Sequence, residues 1–396
     1  MSVNPHETDR LRPTYDPAPS LARVLAPLAA KAGIRFNGAD PWDIQVYDPR
    51  FYRRVLADRS LGLGEAYMDG MWGSGAADET ICRIVRADLA RELTRAPSLS
   101  LLWQGAAARL TSTVTRERAR EAIAAHYDIG NELYEAMLDA RMNYSCAYYQ
   151  GQPLPQTLGQ AQEAKLDLVC RKIGLQPGQR VLDIGCGWGS FAKFAAERYG
   201  ARVTGVTLSR EQKAWAQRSC GDLPVTIRLC DYRDIEGRFD RIVSIGMFEH
   251  VGPEEYRTFF EQADRLLKPG GILLLHCIVG NRSRLVGEAW MSKYVFKKGV
   301  LPSFKQIAEA SEGLFAPWDA HNFGPDYDRT LMAWFENFDR AYREGRLDRK
   351  RYDQRFYRTW KYYLLSCAGL FRAGGAQLGQ FVFARPGELR GYRTAR

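Results

Sequence analysis

The stretch that decides the fold is Val181-Leu-Asp-Ile-Gly-Cys-Gly-Trp-Gly189. Its apolar run is interrupted by Asp183, three glycines follow within five residues, and an amphipathic stretch begins at Ser190. This order predicts a strand, a tight turn and a helix. Glycines at such a turn let the backbone approach a ligand closely, and the helix directs its first N–H groups toward that ligand. We therefore predict a nucleotide-like cofactor across this edge.

Composition narrows the class of protein. The chain has 396 residues and a formal net charge of +10, which favours partners that carry phosphate or carboxylate groups, so nucleic acid and an anionic membrane surface are both open. No apolar run approaches the roughly 20 residues that a membrane-spanning helix needs. The polar N-terminus does not resemble a secretory signal. The eight cysteines form no CxxC pair, which favours a reduced, cytoplasmic chain.

The sequence pattern changes once along the chain. Residues 1–95 mix helical periodicity with short strand-like runs and predict a small α+β domain, and 96–115 are interpreted as a linker. Over 116–396, apolar runs alternate with helical stretches, which predicts a doubly wound parallel α/β sheet covered on both faces. Gln377–Ala384 supplies the last predicted strand, and 280–320 are interpreted as a cover over the site.

Open α/β sheets bind their ligands outside the carboxyl ends of the strands. The predicted strands are 180–184, 202–206, 225–230, 239–245 and 271–279. The residues at their carboxyl ends are Gly185–Gly189, Thr207, Leu208, Ser209, Asp231, Tyr232, Glu249, His250 and His276–Ile278. If the fourth and fifth strands lie to one side of the first, Glu249 and His276 converge beside the glycine turn.

The second strand decides between cofactors. Dinucleotide-binding folds place Asp or Glu about 20 residues beyond the glycines to hold the ribose hydroxyls, but this chain has Thr207-Leu-Ser209 there. The glycine turn is also one residue shorter than the dinucleotide spacing. Asp183 before the turn and Asp231 after the third strand indicate S-adenosylmethionine instead.

Eight motifs along the chain form a specific combination. They are His126-Tyr-Asp-Ile-Gly-Asn131, Tyr144-Ser-Cys-Ala-Tyr148, Val181–Gly189, Gly205–Ser209, Gly246-Met-Phe-Glu-His-Val-Gly252, Leu275-His-Cys-Ile278, His321-Asn-Phe-Gly324 with Asp326-Tyr-Asp328, and Tyr362-Tyr-Leu-Leu-Ser-Cys-Ala-Gly-Leu-Phe-Arg372. Together they resemble the cyclopropane-fatty-acyl-phospholipid synthase family of methyltransferases. The resemblance covers about residues 120 to 385, and the N-terminal residues also look like those of the family.

The resemblance implies a fold and a reaction. The fold is a class I, Rossmann-like methyltransferase sheet with a smaller N-terminal domain that binds lipid. The reaction transfers a methylene group from S-adenosylmethionine to the cis double bond of an unsaturated acyl chain in a membrane phospholipid, which forms a cyclopropane ring. A bound bicarbonate is the implied base. This chemistry needs an apolar channel for the acyl chain and exclusion of water from the cation.

The resemblance also assigns roles to residues. The implied catalytic residues are Cys146, Glu249, His276, Tyr327 and, as a secondary candidate, Cys367. Bicarbonate is expected at Cys146, Glu249, His276, Tyr327 and the backbone of Ile278, because imidazole, phenol and backbone donors can hold a small oxyanion. S-adenosylmethionine is expected at Tyr144, Ser145, Asp183, Gly185, Cys186, Gly187, Gly189, Thr207, Leu208, Ser209, Gln212, Asp231 and Tyr232. Because ionised Glu249 cannot donate, it either orients His276 or accepts the proton of bicarbonate.

Simpler structural roles compete with some of these assignments. Cys146 can be a small buried residue, and Glu249 can cap a strand. Helix packing is the favoured interpretation of Cys367, because alkene methylation needs no covalent enzyme intermediate. Cys277 should face away from the site, since side chains alternate along a strand. No His, Cys, Asp and Glu set has zinc spacing, so we predict no catalytic metal. Rings expected to stabilise the cation are Tyr144, Trp188, Phe248 and Tyr327.

Two basic runs bear on the partner. The first joins Arg282, Arg284, Lys293, Lys297 and Lys298 with Trp290, Tyr294 and Phe296, and the second is Arg349–Lys361. A solvated helix face is the default interpretation, while interleaved aromatics suit a lipid interface or nucleobases. No RNA-binding module accompanies them, so we favour an anionic phospholipid bilayer and no nucleic acid. We predict a cytoplasmic enzyme attached peripherally to the inner face of the membrane, and by resemblance a homodimer.

Three alternatives remain open. The first is methyl addition without ring closure, or cyclopropanation of another unsaturated lipid. The second is an RNA methyltransferase, which fits the charge. The third is a catalytically silent lipid-binding protein.

Overall fold

The computed structural model describes residues 19–89, 91, 129–149, 156–297, 299–388 and 391–396. Its helices are α1 (Pro19–Lys31), α2 (Arg50–Met68), α3 (Ala77–Arg86), α4 (Asn131–Met137), α5 (Leu158–Lys172), α6 (Ser190–Tyr199), α7 (Arg210–Cys220), α8 (Tyr256–Leu266), α9 (Ala289–Tyr294), α10 (Phe304–Ser311), α11 (Pro325–Arg343) and α12 (Gln354–Arg372). Its strands are β1 (Gln45–Val46), β2 (Trp72–Gly73), β3 (Arg180–Ile184), β4 (Arg202–Thr207), β5 (Val225–Leu229), β6 (Phe239–Ile245), β7 (Leu267–Gly280), β8 (Ala316–Asn322) and β9 (Ala376–Ala384).

The chain divides into two compact units, each assembled from two segments. The first unit is Met1–Leu99 with Asp348–Ala373, and the second is Ser100–Leu347 with Gly374–Arg396. The catalytic domain expected at 116–396 therefore differs from the observed division, because α12 belongs to the first unit. The expected linker, 96–115, lies outside the described residues. None of the described helices is long and apolar enough to cross a membrane.

The helix α12 joins the first unit because it packs closely on α3 and α2. A Cβ on Gly369 would lie 2.2 Å from the carbonyl oxygen of Asp78, so glycine is what allows this close approach of α12 to α3. Arg372 adds a 2.7 Å ion pair to Asp78, and the ring of Tyr362 lies 5.3 Å from that of Tyr67. Since β1 and β2 are antiparallel strands of only two residues, the unit is more helical than the predicted α+β domain.

The second unit is built on a seven-stranded sheet in the order β5-β4-β3-β6-β7-β9-β8. Strands β3 to β7 are parallel, and β9 runs antiparallel between β7 and β8. The chain builds outward from β3 in one direction through β4 and then in the other through β6, so the strand order switches beside β3. The predicted doubly wound sheet is confirmed.

Side chains alternate along β7 and contribute to a core on each face of the sheet. Leu275 packs in one core with Phe260 of α8, and Leu274 packs in the other with Phe191 of α6. Each such buried side chain contributes about 1.5–3 kcal/mol relative to exposure. The alternation directs His276 to the face of Leu274 and puts Cys277 in the core with Phe260, as the sequence predicted.

The segment 280–320 is only in part a cover. It contains α9 and α10, but the chain enters the sheet again at Ala316 as β8, which pairs with β9. The sequence Ala316-Pro-Trp-Asp-Ala-His-Asn322 has no apolar run, so its periodicity did not predict a strand. An edge strand tolerates this composition, Pro317 included, because one side of it forms no ladder.

Candidate active site

The predicted glycine turn lies between β3 and α6, and its glycines all have positive φ. Gly185 has φ +83°, and a Cβ there would lie 2.5 Å from Cγ of Met247. Gly189 also has φ +83°, and its Cβ would lie 2.9 Å from Cβ of Ala216. Conformation and space therefore both require glycine, which lets the turn pack against the end of β6 and against α7.

A pocket opens beside this turn at the carboxyl ends of the parallel strands. The space between its lining atoms, open solvent included, is about 890 Å³. The predicted cofactor residues that line it are Gly185, Gly187, Thr207, Leu208, Gln212, Asp231 and Tyr232. The pocket is also lined by residues that the sequence did not predict to bind the cofactor, namely Ile184, Val206, Cys230, Arg233, Gly246, Met247, His250, Val251, Gly252 and Glu255. Most of them lie at the end of a parallel strand or within the next few residues, whereas Gly252 and Glu255 lie farther beyond β6.

Two polar pairs orient side chains of the pocket. Arg233 holds the carboxylate of Asp231 through Nε at 2.9 Å and Nη2 at 2.7 Å. Thr207 donates its hydroxyl to Oε1 of Gln212 at 2.7 Å. Arg233 thus fixes the direction of Asp231, which suits a carboxylate that accepts hydrogen bonds from ligand hydroxyl groups.

Six of the predicted cofactor residues do not line this pocket: Tyr144, Ser145, Asp183, Cys186, Gly189 and Ser209. Cys186 packs with Ala216 and Ile227, and Gly205 leaves it room, because a Cβ there would lie 2.9 Å from the cysteine Sγ. Ser209 caps α7 by accepting the N–H of Gln212 at 3.2 Å. Cys186 and Ser209 therefore shape the backbone behind the pocket.

A buried lysine that the sequence analysis missed links the turn to the segment before it. Lys165 of α5 is 1% exposed, and its Nζ donates to Ser145 Oγ at 2.7 Å and to Asn143 Oδ1 at 3.3 Å. Ser190, the first residue of α6, donates to the same Asn143 oxygen at 2.8 Å. A lysine in a helix usually reaches solvent, so the sequence carried no signal for this network.

Asp183 is a buried carboxylate at the end of β3. It is 2% exposed, and its Oδ2 has no hydrogen-bond partner within the described ranges. Burial raises the pKa of Asp183 to about 7, against the opposing charge of Lys165. Burial also lowers the pKa of Lys165 to about 8. A buried carboxylate with an unpaired oxygen is costly, so Asp183 suits a ligand that brings an N–H donor, as the amino group of S-adenosylmethionine would.

Glu249, in the 3-10 turn Phe248–His250 after β6, is the first of two buried polar side chains at β7. It is 8% exposed, and its Oε1 accepts the backbone N–H of Ile278 at 2.7 Å. Its Oε2 has no partner in the part of the chain that the structure describes. Burial raises the pKa of Glu249 to about 7, so the carboxyl group can gain or lose a proton near neutrality. The N–H of Ile278, expected to bind bicarbonate, is thus already occupied by Glu249.

His276 of β7 is the second buried polar side chain at this strand, and it is fully buried. Its Nδ1 lies 3.3 Å from Nε2 of Gln380, whereas its own Nε2 has no partner among the described residues. With the Gln380 amide assigned as donor, the imidazole proton is on Nε2. Burial, together with the charges of Lys165 and Lys172, holds the pKa of His276 well below its usual range. A neutral ring therefore offers one unpaired N–H donor.

A line of aromatic rings runs from the glycine turn to α11. The ring centroid of Trp188 lies 4.7 Å from that of Tyr134, which lies 5.2 Å from Tyr144. Tyr144 continues to Trp334 at 5.2 Å, and Trp334 to Tyr327 at 6.2 Å. Three of the four rings expected to stabilise a cation are therefore connected.

Cys146 is fully buried, and the backbone after it is tied to α11. The N–H of Ala147 donates to Thr330 Oγ1 at 3.1 Å, and that of Tyr149 donates to Asp326 Oδ2 at 2.8 Å. Burial and the charge of Asp326 raise the pKa of the Cys146 thiol well above its usual value. Cys146 is therefore a neutral thiol rather than an activated nucleophile.

The segment that carries Cys146 also reaches the strand that carries His276. The ring of Tyr148 lies 5.2 Å from Phe323, and Phe323 lies 5.7 Å from the ring of His276. Glu249 and His276 therefore both meet β7, and ring contacts link that strand to the segment that carries Cys146. Tyr327 belongs to the same unit as these three residues.

Comparison with known proteins decides the family. A family model described as mycolic acid cyclopropane synthetase matches residues 114–381. The chain belongs to this family. Cyclopropane-fatty-acyl-phospholipid synthase of Escherichia coli (strain K12) is 48% identical over 374 residues, which cover 94% of this chain and 96% of that protein. Tuberculostearic acid methyltransferase of Mycobacterium tuberculosis is 34% identical and covers 85% of this chain and 81% of its own length.

Solved structures of the cyclopropane synthetase family agree with the fold. A cyclopropane synthase from Mycobacterium tuberculosis has a TM-score of 0.62 at 34% identity, covering 67% of this chain and 98% of that one. A mycolic acid cyclopropane synthase complexed with SAH and CTAB has a TM-score of 0.61 at 32% identity, covering 67% and 97%. The predicted class I fold and the predicted S-adenosylmethionine-dependent methyltransferase are confirmed.

The remaining predicted residues of this cyclopropane synthetase family member differ in their surroundings. Cys367 is on α12 in the first unit, whereas the other predicted catalytic residues belong to the second. Phe248 is buried in the core with its ring stacked 4.6 Å from Tyr256, so it is not part of the aromatic line. Trp290 is 1% exposed and packs inside rather than at a lipid interface. Residues 126–128 and Lys298 lie outside the described ranges.

Proposed function

We propose that this protein transfers a methylene group from S-adenosylmethionine to the cis double bond of unsaturated acyl chains in membrane phospholipids, forming cyclopropane rings. The observation that carries the proposal is how much of this chain matches a phospholipid-modifying enzyme. The Escherichia coli phospholipid enzyme matches 94% of this chain, so the match must include most of the N-terminal residues. A cyclopropane mycolic acid synthase of Mycobacterium tuberculosis matches 67% of this chain with 97% of its own length.

The pocket beside the glycine turn supports the choice of methyl donor. When bound, S-adenosylmethionine would supply an electrophilic methyl group for the double bond to attack, after which the added carbon loses a proton and the ring closes. Asp231, which lines the pocket, would accept hydrogen bonds from hydroxyl groups of the donor, and Asp183, next to the lining residue Ile184, would accept from its amino group. The chain has then to hold the double bond against that methyl group, since a fixed approach removes much of the entropic barrier. The aromatic line from Trp188 to Tyr327 offers π faces to the cation.

We infer that bicarbonate binds between His276 and Glu249 and serves as the base. His276 would donate its Nε2–H to an anionic oxygen, and Oε2 of Glu249 would accept the O–H of bicarbonate. Leaving such buried atoms unpaired costs roughly 1–3 kcal/mol each, which supports a ligand at this place. Cys146 and Tyr327 would line the same space. Ile278 would act by holding Glu249 rather than by contacting the anion.

A membrane substrate implies where the enzyme works. We propose peripheral attachment to an anionic bilayer at the inner face of the membrane, on the cytoplasmic side, which the net charge of +10 supports. The first unit is proposed to bind lipid. A homodimer, in which one subunit holds the membrane while the other works, follows from the resemblance alone. Full activity of a strictly monomeric enzyme in sedimentation and activity assays would exclude it.

Product analysis tests the proposed reaction. The protein is incubated with S-adenosylmethionine, bicarbonate and vesicles of monounsaturated phospholipid, and the fatty acids are analysed by mass spectrometry before and after mild catalytic hydrogenation. We expect an acyl chain that is heavier by one CH₂ group and takes up no hydrogen.

Other outcomes identify the rivals. A heavier chain that does take up hydrogen would indicate methyl addition without ring closure, which the similarity to tuberculostearic acid methyltransferase favours as a second candidate. Transfer of labelled methyl to RNA but not to vesicles would contradict both lipid reactions. Cofactor binding without transfer to any unsaturated vesicle would indicate a silent lipid-binding protein.

A further inference from the structure

The loop after β7 exposes apolar side chains that have no part in the candidate active site. Leu285 is 69% exposed, more than any other large apolar side chain with a described environment, and its neighbour Val286 is 53% exposed. Arg282 and Arg284 precede them and are exposed as well. We name residues 282–286 the apolar tip. Exposure of two adjacent apolar side chains to water is unfavourable, and their burial against a suitable surface would lower the free energy.

The base of the apolar tip is held from both sides. On one side, Ser283 Oγ lies 2.8 Å from Ser303 Oγ. On the other, a Cβ on Gly287 would lie 2.2 Å from the carbonyl oxygen of Gly299, so the two backbones are in direct contact. A loop that is fixed in this way loses little conformational entropy when its exposed side chains bind.

The apolar tip is connected to the part of the site that holds Glu249 and His276, which we name the reaction side. It follows β7, the strand that carries His276. Gly299, which contacts the base of the tip, is followed by Val300, whose N–H donates to the carbonyl of Glu249 at 3.1 Å. A surface that covers the tip therefore lies a few residues from the groups proposed to act on the acyl chain.

Charge and size favour a bilayer as that surface. The guanidinium groups of Arg282 and Arg284 form no ion pair with any carboxylate in the described part of the chain, so both are available to lipid phosphates. A stable protein partner or second copy needs an interface of about 1,200–2,000 Å², far more than two aliphatic side chains provide. Acyl chains, in contrast, accept single aliphatic side chains beneath a ring of headgroups.

We propose that the apolar tip inserts into an anionic phospholipid bilayer, with Leu285 and Val286 among the acyl chains and Arg282 and Arg284 at the headgroups. The inference rests on the proposed function, since it takes a membrane phospholipid as the substrate. The second unit then contacts the membrane itself.

Vesicle binding of a double variant tests the insertion. Leu285→Asp/Val286→Asp is expected to lower the affinity of the full chain for vesicles of monounsaturated phosphatidylglycerol at least about tenfold in co-sedimentation. The matched control is Leu229→Asp, another exposed leucine of the second unit, at 38% exposure, for which we expect binding within about twofold of the parent chain. Equal binding by the double variant and the parent, or an equal loss in the control, would overturn the proposal.

The arginines provide a separate measurement. Arg282→Gln/Arg284→Gln should weaken binding to the anionic vesicles by about fivefold per arginine at low salt. The difference should shrink at high salt and on zwitterionic phosphatidylcholine vesicles, because screening and loss of lipid charge remove the attraction. A loss that is the same on both kinds of vesicle would contradict headgroup contact.

Further readouts separate insertion from misfolding, from self-association and from a wrong reaction. Turnover on detergent-dispersed lipid should survive in the double variant. If it does not, Leu285→Trp replaces that variant, and its added fluorescence should be quenched by brominated acyl chains, whereas no quenching would overturn insertion. A lower sedimentation mass with unchanged vesicle binding would assign the tip to a second copy. Tip-dependent binding without any methylene transfer would support the tip and contradict the proposed function.

Discussion

The two sides of the candidate site are held together by different kinds of interaction. On the cofactor side, the geometry depends on backbone, with Gly185 and Gly189 at positive φ and in contact with their neighbours. On the reaction side, it depends on buried side chains, with Glu249 bonded to β7 and His276 facing Gln380. Added atoms should therefore impair cofactor binding on the first side, whereas removal or replacement of a single polar atom should impair catalysis on the second.

The largest expected effect is on the reaction side. Glu249→Gln keeps the shape and the acceptor for Ile278 but loses the carboxylate, so we expect turnover to fall at least about 100-fold. Affinity for S-adenosylmethionine, measured by calorimetry, should stay within about twofold, because Glu249 itself does not line the pocket beside the glycine turn. Glu261→Gln, at an exposed glutamate of α8, should leave both quantities unchanged. A loss of cofactor affinity as large as the loss of turnover would contradict this difference between the two sides.

The next effect is on the cofactor side. Gly185→Ala puts a Cβ 2.5 Å from Met247 at φ +83°, so it should lower the free energy of unfolding by about 2–4 kcal/mol and weaken S-adenosylmethionine binding. Gly178→Ala is the matched control, because Gly178 has φ +79° and nothing within 4 Å of a Cβ. It should cost about 1–2 kcal/mol without changing cofactor affinity. Equal affinity in the two variants would show that the turn does not shape the pocket.

Much of the fold and of the candidate site, though not all of either, could be predicted from the sequence. Glycine spacing and apolar runs are local signals, so the turn and the parallel strands were readable. Burial of Lys165 depends on which face of α5 the rest of the chain covers, and the contact between Gln380 and His276 joins residues far apart in sequence. The amphipathic pattern of a helix such as α12 predicts that one face is buried, but it does not predict which element covers that face. Strand β8 gave no signal because its composition is that of an edge.

A smaller effect concerns pH. Burial raises the pKa of Asp183 from 3.8 to about 7, so in that window the folded chain binds more protons than the unfolded chain. The free energy of unfolding should therefore fall as pH rises through this window, by up to about 1.4 kcal/mol per pH unit. Asp183→Asn should remove this part of the slope in denaturant titrations without ligand. Identical slopes in the variant and the parent chain would show that Asp183 does not carry the shift.

The smallest expected effect is that of Cys367→Ser. Because alkene methylation needs no covalent enzyme intermediate, turnover on vesicles should change by less than about twofold. The unfolding temperature serves as the control for packing of α12. A loss of turnover without a loss of stability would return Cys367 to the list of catalytic residues.

The central claim is that an oxyanion bound between His276 and Glu249 removes the proton before the ring closes. The most direct measurement is the rate of cyclopropane formation on monounsaturated vesicles in buffer that has been freed of carbon dioxide and then supplied again with bicarbonate. We predict that the rate falls on depletion and recovers on addition in the parent chain, and that Glu249→Gln shows no such recovery. An equal rate with and without bicarbonate would contradict the account.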